Sequence, residues 1–280
     1  MNLTSKKEIR TILGEKRPSK KLGQNFLIDD EIIEGLISIG DVTKGRVLEI
    51  GPGVGALTYQ LSKKAGEVLA VEKDDFLYQH LRSLDIENVT LLNRDFLDLR
   101  PEIYSEEEYK SISNLPFNVA GPILRKLLKE SPPSLLVAIL QKEVAERIES
   151  KGDKENFLSI ITKFRGEPEV IKKVPRNSFW PAPRVDGAII KITPHQKLPD
   201  QNFQDSFFKI VEAGFLHPRK QIKNNITYTG ISKKRAIELL DEVNIDPKKR
   251  PEDLSLEDWV DLTYFFLDMN SIKDKINQDG

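Results

Sequence analysis

The chain has no cysteine, and only two methionines, two tryptophans and three histidines among its 280 residues. Without cysteine it can hold no disulfide staple, thiolate nucleophile or Cys-ligated zinc or iron–sulfur centre. His80, His195 and His217 leave few ligands for a transition metal, so no metal is expected. No apolar run approaches the roughly 20 residues of a membrane helix. The Lys-rich N-terminus carries neither the apolar stretch nor the small-residue cleavage site of a secretion signal. A soluble, cytoplasmic protein with no membrane contact is expected. Charge of one sign is not in excess: 43 Lys and Arg oppose 44 Asp and Glu, a net of −1. Spread evenly, that balance argues mildly against a nucleic-acid partner. Glycine and proline, at 16 each, exclude collagen-like and low-complexity classes. What remains is an ordinary globular chain, 39% hydrophobic, long enough for one large domain or a large and a small one.

The charge is not spread evenly. Residues 1–25 hold Lys6, Lys7, Arg10, Lys16, Arg17, Lys20 and Lys21 against Glu8 and Glu15, a net of +5. Residues 209–235 are +6, with Lys209, Arg219, Lys220, Lys223, Lys233, Lys234 and Arg235 against Glu212 alone, whereas residues 237–280 are −7. Between these regions, short apolar runs at Val47–Ile50, Val68–Val71, Val89–Leu92, Ser111–Asn114 and Leu135–Leu140 alternate with helical patterns such as Ala56–Lys64 and Asp74–Ser83. That alternation predicts successive strand–helix units and a mostly parallel sheet. A late strand is expected over Val185–Ile192, and beyond Pro199 only helical periodicity is visible, in Phe203–Phe215, Lys233–Val243 and Leu256–Met269. The expected organisation is a basic arm over 1–25, an α/β domain over 26–197 and a helical domain over 198–280.

The first strand runs into Glu49-Ile50-Gly51-Pro52-Gly53-Val54-Gly55-Ala56 and then a helix. A glycine turn there lets a ligand approach backbone N–H groups and the positive end of the helix. Glu72 ends the second strand, where a carboxylate can accept hydrogen bonds from two ribose hydroxyls. Asp95, just past the third, can accept from an adenine amine; a simple turn or N-cap role is the plain alternative. These features call for an adenosine-type cofactor without choosing between NAD and S-adenosylmethionine.

Asn114-Leu115-Pro116-Phe117 closes the fourth strand beside that crevice. The exocyclic amine of adenine is a poor nucleophile because its lone pair is delocalised into the ring. The Asn114 side-chain oxygen and the Leu115 carbonyl can each accept one N6 hydrogen and draw the nitrogen toward sp³ geometry. Pro116 stiffens the turn, and Phe117 offers a face on which an extruded base can stack.

With Lys20-Lys21-Leu22-Gly23-Gln24-Asn25-Phe26-Leu27, Asn114 to Val119, Gln141 to Arg147 and Phe179 to Asp186, these motifs resemble, in order and from about residue 18 to 226, the KsgA/Dim family of small-subunit ribosomal RNA adenine N6-dimethyltransferases. The resemblance implies a Rossmann-like methyltransferase domain with a small helical C-terminal domain and S-adenosylmethionine as donor. It also implies dimethylation of two adjacent adenines in the 3′-terminal hairpin loop of 16S rRNA, within the assembling 30S particle. By position, Asn25 and Leu27 are expected to contact the donor, Gly51 and Gly53 to approach its aminoacyl end, Glu72 to hold the ribose and Asp95 the adenine amine. Asn114 is expected between donor and target, and Phe179, in a loop fixed by Pro181 and Pro183, as a second wall for the flipped base. Lys20, Lys21, Arg184, Arg219 and Lys220 are candidate RNA contacts, and a monomer is expected. The chain departs from the family pattern at Phe117, where tyrosine is usual, at Ala120-Gly121, which replace small hydroxyl residues, and at Pro218, which opens a usually all-basic triplet. Rival readings are a large-subunit rRNA adenine methylase, a non-catalytic rRNA-binding factor and an NAD-dependent dehydrogenase.

Overall fold

A computed structural model of the chain describes residues 3–149 and 154–278. The chain divides into two compact units, one of Met1–Glu149 with Gly166–Pro194, the other of Ser150–Arg165 with His195–Gly280. In chain order the first unit opens with α1 (Lys6–Leu13), β1 (Phe26–Leu27), α2 (Asp30–Gly40), β2 (Arg46–Ile50), α3 (Ala56–Ser62), β3 (Glu67–Glu72), α4 (Asp75–Ser83) and β4 (Val89–Asn93). It continues with β5 (Lys110–Asn114), α5 (Ala120–Glu130), β6 (Leu135–Gln141) and α6 (Lys142–Glu149). After α7 (Phe157–Arg165), which belongs to the second unit, it ends with β7 (Gly166–Val174), β8 (Phe179–Trp180) and β9 (Gly187–Pro194).

The seven-stranded sheet runs β4-β3-β2-β5-β6-β9-β7, parallel from β4 to β6, with β9 antiparallel to both its neighbours. Strands β2, β3 and β6 are buried along almost their whole length, which explains why each reads as a continuous apolar run. Strand order reverses between β2 and β5, and such a switch point opens a crevice at the carboxyl ends of the strands. The pairing of β2 with β5 covers only Val47 with Lys110 and Leu48 with Ser111. Past it, the Ile50 N–H donates 2.9 Å to the Ser113 hydroxyl, a side chain spanning the gap where the two strands part.

Three elements depart from the sequence reading. The basic arm is a built part of the unit: Ile9 and Leu13 of α1 are buried against Phe26, Val54 and Leu77. Strand β7, unmarked in the sequence, is an edge strand whose Glu167, Pro168, Glu169, Lys172 and Lys173 suit an open edge and hide the apolar signal. Helix α7 falls within the expected α/β domain at 26–197, yet its apolar face packs in the helical unit.

The helical unit adds α8 (Gln201–Phe215), α9 (Ile222–Asn225), α10 (Lys233–Glu242) and α11 (Leu256–Gln278). Its core is aromatic: Phe164 stacks on Phe207 at 3.8 Å between centroids and meets Phe203 and Phe208, while the buried Trp259 packs on Phe215 at 5.5 Å. Among the described residues, no helix is long and apolar enough to cross a membrane, and no group of three or more His, Cys, Asp or Glu is placed to hold a metal.

Candidate active site

At the switch point lies a cavity of about 440 Å³, within the range of small-molecule sites. Its walls come from the turns after β2, β3, β4 and β5 and from the segment entering β1. Asn25, Leu27, Gly51, Gly53, Glu72, Asp95, Asn114, Leu115, Pro116 and Phe117 all line it, as does Lys21. Residues up to 96 positions apart in the chain, Lys21 and Phe117, are brought together because nearly all of them sit at a strand end or just beside one.

The turn after β2 depends on glycine. Gly51 and Gly53 have φ of +73° and +62°, where a side chain is strained. A Cβ on Gly51 would also stand 3.3 Å from Pro116, and one on Gly53 3.1 Å from the Phe26 ring. The backbone therefore approaches both the post-β5 turn and the arm closely. Glu72 is 6% exposed and anchors the turn from β3: its Oε2 accepts the Gly53 N–H at 3.0 Å and its Oε1 the Asp74 N–H at 2.8 Å. Burial raises its pKa, opposed by those two hydrogen bonds. Each oxygen keeps a second lone pair for a ligand hydroxyl.

Asp95 does two things at once. Its Oδ1 accepts the Leu97 N–H at 3.0 Å, capping the 3₁₀ turn at Phe96–Asp98, and its Oδ2 pairs with the Lys73 ammonium. Burial pushes its pKa up, but Lys73 and the Leu97 N–H outweigh that and leave it lowered, so the group is an anion at neutral pH.

The Asn114 Nδ2 donates to the Asn25 carbonyl at 3.1 Å, and the Asn118 Nδ2 to the Lys21 carbonyl at 2.7 Å. The two asparagines pin the arm across the post-β5 turn, with Gly23 required where the chain passes Asn118. With its amide nitrogen so engaged, Asn114 has its oxygen left as an acceptor. Phe117 lines the cavity and meets Phe179 edge-on at 5.8 Å.

Phe179 itself is placed otherwise than expected. It is 2% exposed, belongs to the main apolar core and does not line the cavity. Pairing of β8 with β1 explains this: alternation along the strand turns Phe179 inward and leaves Trp180 half-exposed. Lys20 and Arg184 are exposed and lie off the cavity wall. Arg219 and Lys220 are exposed on the α8–α9 turn of the helical unit. That turn is held by the buried Asn225, whose Nδ2 donates to the Gly214 and His217 carbonyls at 2.6 and 3.0 Å.

Sequence reasoning missed Glu49, Lys73 and Asn118. Glu49 is 1% exposed, lines the cavity and has no partner for its Oε2 among the described residues. Burial, aided by the Glu72 charge and opposed by Thr58, pushes its pKa up to about 8. Its only sequence signal was an acid inside an otherwise apolar strand, immediately before the glycine turn.

The family model for ribosomal RNA adenine dimethylase matches residues 15–268. A ribosomal RNA small subunit methyltransferase A of Dehalococcoides mccartyi is 37% identical over 248 residues, spanning 86% of this chain and 85% of that protein. The protein of the same name from Bacillus mycoides is 38% identical over 265 residues, spanning 87% and 89%. Among solved structures, a dimethyladenosine transferase from Plasmodium falciparum superposes with a TM-score of 0.70 at 22% identity, covering 88% of this chain and 98% of that one. The 23S rRNA methyltransferase ErmE gives 0.64 at 24% identity, covering 86% and 99%. At those identities the two structures speak for the fold, while the family model and the closer relatives speak for descent. The chain belongs to the ribosomal RNA adenine dimethylase family.

Proposed function

We propose that the chain dimethylates N6 of two adjacent adenines in the 3′-terminal hairpin loop of small-subunit rRNA, with S-adenosylmethionine as donor, acting as a monomer on the assembling 30S particle. The observation that carries this reading is the meeting of Asn114, Leu115, Pro116 and Phe117 with Glu72 and Asp95 on one cavity of about 440 Å³, in a chain of this family. The lining also fits the donor's charge. Asp95 is an anion, and the buried Glu49 carboxyl, mostly protonated near neutral pH and with an unpartnered oxygen, ionises more readily beside a positive charge. A cationic ligand therefore gains from this wall, and the pyrophosphate of a dinucleotide does not.

When bound, S-adenosylmethionine supplies an electrophilic methyl group on a positively charged sulfonium. The chain's part is to hold and orient. Gly51 and Gly53 admit the aminoacyl end, Glu72 takes the ribose hydroxyls, and Asp95 takes the adenine amine of the donor. Asn25 and Leu27 close the site from the arm. The Asn114 oxygen and the Leu115 carbonyl accept the two hydrogens of the target N6, which localises its lone pair and stabilises the charge that develops there. Pro116 fixes that pair of acceptors, Phe117 stacks the extruded base, and Phe179 supports Phe117 from behind. Proximity and aligned acceptors then supply the rate without a general base, and the proton shed by the methylated N6 passes to water. Lys20, Lys21, Arg184, Arg219 and Lys220 contact RNA phosphates.

Replacing Asn114 with Ala tests the assignment. Methyl transfer to small-subunit rRNA should be abolished while S-adenosylhomocysteine binding, followed by calorimetry, persists. Full activity in Asn114→Ala would contradict the role given to it.

A further inference from the structure

The proposed site makes no use of the basic segment upstream of Lys20, and the structure shows that segment to be ordered against the catalytic unit. The apolar side of α1 is fixed by Ile9 and Leu13 on Phe26, Val54 and Leu77, which leaves Lys6, Lys7 and Arg10 exposed. Elsewhere on this unit cations are commonly matched to carboxylates: Arg46 to Glu67 at 3.4 Å, Lys142 to Glu146 at 3.3 Å, Lys173 to Asp186 at 2.9 Å. Among the described residues, none of Lys6, Lys7, Arg10, Lys16, Arg17, Lys20 and Lys21 forms such a pair.

Two of these cations are instead seated on aromatic rings. The Arg10 guanidinium carbon lies 5.6 Å from the centroid of Trp180, whose ring stacks on Phe26 at 6.5 Å. The Lys16 ammonium lies 4.0 Å from the Phe76 centroid. A ring face orients a cation without cancelling its charge. Both groups are therefore held in place and still available to an anion. From Lys16 the chain continues to Ser19 and to 21–27, which line the cavity. The row of charge thus leads up to the site where the reaction takes place.

We propose that α1 and residues 14–21 form a cationic rail for the phosphate backbone of the RNA flanking the target adenines, with Arg10 on Trp180 as its anchor. This rests on the reading of the chain as an RNA methyltransferase. Phosphate contacts of this kind place a substrate without reading its sequence, and a guanidinium held flat on a ring keeps its edge for a bidentate phosphate contact. The rail supplies affinity and register, and the turns after β2 and β5 supply the chemistry.

The test uses the full chain and an unmodified transcript of the 3′-terminal region of small-subunit rRNA, with Kd measured across a potassium chloride series. Each cation on a phosphate contributes about one unit of log–log slope. Arg10→Gln should therefore lower the slope by about one unit, and the triple variant Lys6→Gln, Lys7→Gln, Arg10→Gln by about two to three. S-adenosylhomocysteine binding and turnover at saturating RNA should stay at wild-type levels in both. Lys142→Gln, which removes a paired cation on the same unit, should leave the slope unchanged. An unchanged slope in the triple variant, with wild-type methylation intact, overturns the rail and leaves the active site standing; it would be the result if the rail served an acidic protein instead. Loss of S-adenosylhomocysteine binding in the triple variant, or an equal slope change in Lys142→Gln, also overturns it. Failure of the wild-type chain to methylate small-subunit rRNA would overturn the reading of the site itself.

Discussion

Glu49 is the residue whose chemistry the fold changes most. Its carboxyl is forced out of water at the end of β2, and its pKa rises from 4.5 to about 8. The folded chain therefore holds this proton more tightly than the unfolded one, and the sign follows from linkage. The contribution of the group to stability is fully present below about pH 4.5 and is lost as pH rises through about 8. Against wild type, Glu49→Gln keeps a neutral side chain of similar shape at every pH. Its advantage in thermal stability should grow from pH 5 to pH 8, on the order of a few kcal/mol at the upper end. Melting curves of donor-free protein across that range check this, and parallel profiles for the two proteins would contradict it. The contrast with Glu72 shows what was legible at this scale. Glu72 and Asp95 were readable because an acid at a strand end faces a crevice whatever its neighbours. Glu49 sits one residue earlier, where sequence does not tell a buried acid from one on an open strand. Phe179 failed for a related reason: the face a two-residue strand turns inward depends on its pairing with β1, a partner about 150 residues away in the chain.

At the scale of elements, strands that are buried on both faces announced themselves, and of the two edge strands the apolar β4 did so while the charged β7 did not. β2, β3 and β6 were legible as apolar runs, whereas the charged edge strand β7 carried no such signal. The amphipathic α1 was hidden by its own lysines, since net charge is read before periodicity in so short a segment. Helix α7 was missed as a member of the helical unit because membership is settled by aromatic contacts to α8 rather than by chain order. In that unit α8 and α11 meet tightly at Gly214: a Cβ there would lie 2.1 Å from the Trp259 ring, which is wholly buried. A clash with an immovable indole must displace one helix from the other. Gly214→Ala should cost about 1–3 kcal/mol or more, read as a lower urea midpoint. An unchanged midpoint would mean that α8 and α11 can slide apart without loss.

For the whole molecule, the near-zero net charge is an average over regions that do different things. Residues 1–25 and 209–235 are strongly basic, and residues 237–280 are acidic. The total hides two basic regions that the proposed function assigns to RNA. The absence of cysteine and the scarcity of histidine are equally in keeping with a transfer that asks only for hydrogen-bond acceptors, a stacking face and a donor. The central claim is that the turn after β5 directs methyl groups to adenine N6 of small-subunit rRNA. The most direct test is mass spectrometry of unmodified small ribosomal subunits after incubation with the purified chain and S-adenosylmethionine. Dimethylated N6 on two adjacent adenines of the 3′-terminal hairpin, absent with Asn114→Ala, is the predicted result. Small-subunit rRNA left unmethylated, or methyl groups on large-subunit rRNA instead, would contradict it.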